Sequence, residues 1–476
     1  MGDASSQNKQ VREPTILEVL AVLVIFLVIM FSFVAIFELA IPLALFISWF
    51  VVIGFGMRLG FTYENLEEGL KDGIREGMGA IFILLAVGAL IGTWIAGGVI
   101  GTLVYYGLAI IHPSIFLLAT LIITSLTSLA TGTSWGSAGT AGIAMMGVGA
   151  GFGYPLPLVA GAVLSGVYVG DKVSPLSDST NLTAAICKVK VMDHVRSLLY
   201  IVIPTWVIIA VAYTAVGLFM DVGTAPEEVA RIENYMQTMQ EIFSINVIML
   251  VPALLVVALL ILRKPAVPSI AFGALLGIIW AAVFQGMNPV DAIGTAWGGY
   301  SIDTGIDFVD ELMSRGGIEG MLWSISVIIF GLGFGGVLEK TGSLQVIVKK
   351  IAGLFTGSGR TAIGSVVVGI FGNLFGSAMY VSLIVPPKIM QGSYDNLRLK
   401  RTVLSRNSEV GGTLTSAMVP WSDNGVFMAA LLGVPVLSYV PFMWFALVAI
   451  VLTIVFGYTG LFQWKADPGE SAEESV

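Results

Sequence analysis

Long apolar runs separated by short polar ones dominate the chain. A bilayer-crossing helix needs roughly 20 apolar residues. Runs of that length lie near 16–37, 39–58, 77–97, 197–219, 244–262, 267–285, 319–339 and 438–460. Two more, 155–186 and 402–432, are long enough to span but are interrupted by polar residues. Two apolar pairs, about 113–151 and 361–390, each fold around a polar, glycine-containing tip. Each arm of these pairs has 15–20 apolar residues, enough for a re-entrant hairpin or for two full crossings. The polar tips favour re-entry, because irregular backbone at membrane depth is tolerated only inside protein or beside water. Segments 60–76 and 340–360 are amphipathic or charged and are expected along the surface. The pattern predicts an all-α polytopic membrane protein.

Composition agrees. Of 476 residues, 56% are hydrophobic and 11% charged, against roughly 25% charged in soluble domains. The 57 glycines suit close packing of helix backbones. The formal net charge of −8 matters less than where the charges fall. With the N-terminus in the cytoplasm, 20 of the 23 basic residues fall on that side, from Lys9 to Lys465. Arg231 and Arg315 fall outside, and Lys172 lies within the membrane. The outside loops 220–243 and 286–318 are acidic instead. Such sorting is what the positive-inside rule describes.

The layout has five crossings and one hairpin per half. An odd number makes the second half enter from the opposite side, so the halves are inverted repeats. The expected divisions are a cytoplasmic tail at 1–14, a first transmembrane repeat at 15–219 and an extracellular acidic linker at 220–243. A second, inverted repeat at 244–462 and a cytoplasmic tail at 463–476 follow. A multi-pass protein of a prokaryotic inner membrane is expected, with both termini cytoplasmic.

The halves also share motifs. Gly132-Thr133-Ser134-Trp135-Gly136-Ser137-Ala138 returns about 240 residues later as Gly372-Asn373-Leu374-Phe375-Gly376-Ser377-Ala378. Pro175-Leu176-Ser177-Asp178 returns as Pro420-Trp421-Ser422-Asp423. Polar, glycine-broken segments at matching places in two apolar halves point to the substrate site of a secondary transporter.

In the first half, Thr131, Thr133 and Ser134 surround the hairpin tip. Their hydroxyls and the carbonyls freed by glycine can replace water around a hard cation, which favours oxygen ligands. The competing reading is helix packing through small residues, with hydroxyls bonded to the preceding turn. The interrupted span adds Asp171, Lys172, Ser174, Asp178, Ser179 and Asn181. A central acid costs about 2.5–3.5 kcal/mol on the insertion scale, so it needs a role or a partner. Pro175 breaks the helix there. Asp178 recurs in the second half; Asp171 has no acidic counterpart and could be neutralised by Lys172.

The second half supplies Asn373, Ser377 and Tyr380 at its hairpin and Glu409, Thr413, Ser422, Asp423 and Asn424 at its interrupted span. Glu409 lies near the cytoplasmic end and is expected to pair with Arg406. A cation is expected at Asp178, Thr133 and Ser134, with Asp423, and Asn373 is expected beside Asp423. Trp135 and Trp421 read as packing or as pocket lining. His194 reads as a solvated residue of a basic loop. Gly331-Leu332-Gly333-Phe334-Gly335-Gly336 has a nucleotide-loop spacing but no strand before it, so it reads as close helix packing.

One cysteine and two histidines exclude a disulfide and a cysteine- or histidine-rich metal site. No nucleophile–base pair suggests an intramembrane enzyme. No cofactor is expected, no nucleic acid partner, and no phosphate-binding loop. Energy must come from an ion gradient.

These motifs resemble the NhaC family of sodium/proton antiporters. The resemblance runs from about Gly69 to Phe456. Its strongest blocks are Gly88 to Trp94, Thr131 to Thr140, Gly170 to Leu182 and Gly411 to Gly425. That family is similar to the ion-transporter superfamily, whose fold has inverted repeats, paired hairpins and broken helices. The resemblance implies proton entry coupled to sodium extrusion, and by analogy a homodimer. The family also includes a sodium-lactate/malate exchanger and other organic-solute carriers. The resemblance assigns no residue; those named rest on local chemistry. The leading expectation is sodium/proton antiport by alternating access, with Na+ and H+ competing for buried carboxylates. The alternative is a Na+- or H+-coupled exchanger of a small organic anion or amino acid, favoured if Lys172 or a tryptophan faces an open pocket.

Overall fold

The computed structural model describes residues 11–466, except 221, 224, 353, 354 and 356. The expected tails at 1–14 and 463–476 therefore lie mostly outside the described residues. The described chain is helical, with one isolated antiparallel bridge between Leu399 and Lys465. In order the helices are α1 (Ile16–Phe31), α2 (Ile41–Arg58), α3 (Tyr63–Glu76), α4 (Met78–Ala96), α5 (Val99–Ile110) and α6 (Phe116–Thr131). Next come α7 (Ser134–Ser137), α8 (Ile143–Phe152), α9 (Leu156–Val173), α10 (Asp178–Ile186), α11 (Val191–Phe219) and α12 (Pro226–Ile242). The second half holds α13 (Val251–Ile261), α14 (Ala266–Phe284), α15 (Pro289–Gly298), α16 (Asp307–Met313), α17 (Gly317–Lys340) and α18 (Ser343–Ala352). It ends with α19 (Ser358–Gly376), α20 (Met379–Asn396), α21 (Arg401–Ser416), α22 (Asp423–Leu432), α23 (Val436–Tyr439) and α24 (Trp444–Thr459).

Eight helices among the described residues are long and apolar enough to cross a bilayer, and ten spans result if each of two bent pairs counts as one. The protein is thus a polytopic helical membrane protein. Burial separates its rim from its centre. The α1 window is 28% buried, so most of its apolar side chains face outward, whereas the α9 window is 83% buried. α1 starts at a capping box: Thr15 Oγ1 accepts from the Glu18 amide at 3.4 Å, and Glu18 accepts from the Thr15 amide at 3.0 Å.

Two sets of helices build the body. In one, α17 packs on α2, α3 and α4, and α4 packs on α14. In the other, α6, α9, α11 and α24 meet α19, α20 and α21. Small residues set the closest approaches. A Cβ on Gly170 of α9 would lie 2.6 Å from the Ser125 carbonyl of α6. One on Gly336 of α17 would lie 2.9 Å from Gly73 of α3. The 331–336 glycines thus serve helix packing, as their setting suggested. α3 buries Leu66, Gly69, Leu70 and Gly73 and leaves its charged face outside.

Differences from the sequence reading are local. The run 99–110, left unassigned, forms α5. The acidic loops carry α12, α15 and α16. Both hairpins turn where expected. Gly132 takes a left-handed φ of 72° between α6 and α7, and Ser377 takes 57° between α19 and α20. That conformation suits glycine and is costly for serine.

The charge rule predicts that Glu228 and Asp307 face outside. In Glu228→Cys and Asp307→Cys variants, an impermeant thiol reagent added externally should label both sites. The native Cys187 is buried and contributes little background. Labelling of either only from the cytoplasmic side would overturn the topology.

Candidate functional site

Pro-x-Ser-Asp performs the same local task in both halves. The motif lies in the break after one helix, its serine caps the next, and its aspartate takes the first position of that helix. Ser177 Oγ accepts from the Thr180 amide at 3.5 Å, and Ser422 Oγ from the Gly425 amide at 3.0 Å. Asp178 and Asp423 therefore begin α10 and α22, where the helix dipole favours a carboxylate. Each hairpin tip meets the break of its own half. Gly132 packs on Leu176, with no room for a Cβ. The Ser377 carbonyl accepts from the Asp423 amide at 2.9 Å, and Trp421 Nε1 donates to the Leu374 carbonyl at 2.7 Å.

Both tips and both breaks border one cavity of about 400 Å³ between the two helix sets. Thr131, Thr133, Ser134, Asp171, Asp178 and Ser179 line it from the first half, and Met379, Tyr380 and Asp423 from the second. Glu76, Arg263 and Lys264 line the end that the charge rule assigns to the cytoplasm. Trp135 also faces it. Asp178 is exposed to this space, whereas Asp171 and Asp423 are buried. Asp423 accepts from the amides of Met379 at 3.1 Å and Asn424 at 2.6 Å. Glu76, at the end of α3, has its carboxyl pKa raised, chiefly by burial and then by Glu339 and Asp72.

Behind the cavity lies a charged cluster. Lys172, 1% exposed, donates to Ser179 Oγ at 2.9 Å, pairs with Glu409 and approaches Asp171 Oδ2 at 3.4 Å. Glu409, fully buried, also accepts from Thr183 and from Thr413 Oγ1 at 3.0 Å. Ser177 Oγ donates to Asp171 Oδ1 at 2.8 Å. The expected Glu409–Arg406 pair does not form. Arg406 instead donates to the Phe462 carbonyl at 3.1 Å, and its guanidinium lies 5.3 Å from the Trp464 ring centre. His194 is not solvated. It sits on α11 fully buried, with Nδ1 2.8 Å from Ser405 Oγ and Nε2 4.0 Å from Glu409 Oε2. The exposed basic residues around it in sequence hide this: Lys188 and Lys190 precede the helix, and Arg196 points outward from it.

Other singled-out residues hold the scaffold. The Ser174 hydroxyl accepts from the Leu176 amide at 3.3 Å, and Asn181 Nδ2 donates to the Pro175 and Ser177 carbonyls at 2.9 and 2.8 Å. Thr131 Oγ1 and Ser137 Oγ are 2.9 Å apart across the first tip. Asn373 Nδ2 donates to the Gly412 carbonyl at 2.8 Å and to Thr415 Oγ1 at 2.9 Å. Its Oδ1, like Ser377 Oγ, is buried without a hydrogen-bond partner among the described residues. Asn424 links the halves. It donates to Tyr168 Oη at 2.7 Å and Ser416 Oγ at 2.6 Å, and accepts from Trp135 Nε1 at 2.9 Å. Tyr168 was missed, although it lies one helical turn before Asp171. Arg263 and Lys264 were read only as marks of orientation.

No cluster of three or more His, Cys, Asp or Glu suited to a resident metal occurs among the described residues. The acids, hydroxyls and carbonyls around the cavity suit a transiently held hard cation.

Broken helices around a shared polar cavity define a secondary transporter. The Na+/H+ antiporter family profile matches residues 166–461, and the chain belongs to that family. It is 56% identical over 456 residues to the Malate-2H(+)/Na(+)-lactate antiporter of Bacillus subtilis (strain 168), covering 96% of this chain and 97% of that one. It is 36% identical to the arginine/ornithine antiporter ArcD of Halobacterium salinarum, over 88% of this chain and 86% of that one. With the Na(+)/H(+) antiporter NhaC of Alkalihalophilus pseudofirmus it shares 35% identity, over 91% and 93%.

Two predictions follow from this geometry. Lys172→Met leaves the Glu409 charge unpaired and should destabilise the protein by about 3–5 kcal/mol. Adding Glu409→Gln should recover most of that loss in thermal unfolding; an unaltered melting temperature for Lys172→Met would show that the pair contributes nothing. Separately, Asp178→Asn and Asp423→Asn should each abolish cation-coupled exchange while the protein still folds and inserts. Full sodium-dependent exchange by both variants would remove these acids from the cation site.

Proposed function

We propose that this transporter exchanges small carboxylates, of the malate and lactate kind, in a cycle coupled to Na+ and H+. The observation that carries this reading is the cavity. Its volume of about 400 Å³ lies within the roughly 300–1,000 Å³ of small-molecule sites and far exceeds a bare cation. Its lining combines Arg263 and Lys264, with Glu76 beside them, at one end, and Asp171, Asp178, Asp423 and hydroxyls at the other. An organic anion can then bind through its own carboxylate to the basic end. Asp178, Asp171 and Asp423 remain to hold Na+ or H+. Trp135 facing the cavity meets the condition that favoured an organic substrate. Lys172 does not, because Glu409 and Ser179 occupy it. The high identity to the malate/lactate antiporter over nearly the whole of both chains supports the same choice.

Plain sodium/proton exchange is the second reading, favoured by the excess of acids at the cavity. Proteoliposomes with an internal pH dye separate the two. Sodium alone should move few protons; malate on one side with lactate on the other should start proton movement that depends on sodium. Arg263→Gln with Lys264→Gln should raise the apparent carboxylate Kd about tenfold, or ~1.4 kcal/mol. Full sodium-driven proton flux without any organic solute would establish the second reading instead.

A further inference from the structure

A second pocket lies away from the transport cavity, where the N-terminal parts of α11 and α21 meet Trp464 and Lys465. It measures about 360 Å³ and is lined by Arg196, Lys400, Lys465, Asp193, Tyr200 and Trp464, with Ser197 and Thr402. The fold builds it deliberately. The Lys400 amide donates to the Trp464 carbonyl at 2.9 Å, and the Ala466 amide to the Arg398 carbonyl at 2.8 Å. These bonds clip residues 464–466 across the start of α21. Ser197 Oγ donates to the Thr402 carbonyl at 3.0 Å and ties α11 to the same place. α21 has 16 residues, and no side chain caps its N-terminus.

Three cations therefore converge on the positive end of a helix, the arrangement that receives phosphate. One carboxylate is present as well: Asp193 Oδ1 accepts from Arg196 at 3.4 Å, which leaves most of the guanidinium donors unused by that pair. Lys465 spends one donor on the Leu397 carbonyl at 2.9 Å. The rest of the wall is aromatic. The Tyr200 and Trp464 ring centres are 5.1 Å apart, the pairing found where a protein meets the headgroup layer. From Tyr200 an exposed apolar stripe continues along α11 through Ile203, Val207 and Val211. These positions are three and four apart and share one helix face.

We propose that this pocket binds the headgroup phosphate of an anionic phospholipid, with an acyl chain lying along the α11 stripe. A free phosphate would use the cations but leave the aromatic wall and the stripe uncovered. A lipid covers both. Bound there, it would hold α11 against α21, the helices that carry His194 and Glu409.

The test uses the full chain purified in detergent and examined by native mass spectrometry. Phosphatidylglycerol and phosphatidylcholine with matched acyl chains are offered, with inorganic phosphate as competitor. The wild type should retain phosphatidylglycerol in preference to phosphatidylcholine, and phosphate should not displace it. Arg196→Gln with Lys465→Gln should weaken that retention about twentyfold, each cation contributing several-fold. The charge-conserving pair Arg196→Lys and Lys465→Arg should keep it. Equal retention of the two lipids by the wild type, or unchanged retention in the neutralised variant, would overturn the proposal. Displacement of the lipid by inorganic phosphate would overturn it too, and would assign the pocket to a soluble phosphate. If the neutralised variant does not fold, the comparison of lipids on the wild type decides alone.

Discussion

Lys172 and Glu409 form an ion pair almost wholly out of water, one from each half of the chain. Neither charge could remain there alone, since an unpaired charge inside a membrane protein is costly. The pair therefore constrains everything around it. It sets α9 against α21, places Asp171 and Ser179 beside the lysine, and draws Thr183, Thr413 and His194 around the glutamate. The cavity-lining part of the first half is built on this cluster. It also keeps Lys172 off the cavity wall: of the acids that line the cavity, Asp171 lies 3.4 Å from that base, and no ion pair joins Lys172 to Asp178 or Asp423 among the described residues.

The second constraint is the broken helix. A continuous helix satisfies its own amides and carbonyls and offers a ligand nothing. Pro-x-Ser-Asp opens the backbone twice, and the serine and aspartate satisfy most of what is exposed. Leu176, Asp178 and Asp423 of the two breaks line the cavity. The halves then diverge in chemistry. The first tip carries hydroxyls that face the cavity, while the second inserts Leu374 and Phe375 and contributes mainly backbone to Asp423. An equal pair of sites would bind two equal ions. The unequal pair gives one open acid, Asp178, and one acid held by amides, Asp423.

Much of this was legible in the sequence, for definite reasons. Long apolar runs mark spans, because lipid leaves few alternatives. A proline and an aspartate within such a run mark a break. The convergence of Thr133, Asp178 and Asp423 could be expected from the repeated motifs. What stayed hidden depends on contacts distant in the chain. Glu409 finds its lysine 237 positions away, whereas the sequence offers Arg406 three residues off. His194 stands among charged neighbours, and only the tertiary packing shows that its ring points inward to Ser405. α5 is too short to count as a span. Asn373 matches the first tip by position, but its amide is spent on α21.

The cavity lies between two packed helix sets, and its two cationic residues stand together at one end, with Glu76 beside them. Arg263 and Lys264 stand at the end assigned to the cytoplasm, and Asp178, Asp171 and Asp423 lie around the helix breaks. In the proposed exchange, a carboxylate entering from that end would meet the cations first. To reach the acids it must bring positive charge with it, because adding one anion to a site of three carboxylates is repulsive. Coupling would follow from that condition. In the proposed exchange an anion would be stable at the breaks only when Na+ or H+ occupied the acids. Either ion alone would leave the site unbalanced. The order of charge along the cavity, more than any single residue, would make exchange tight.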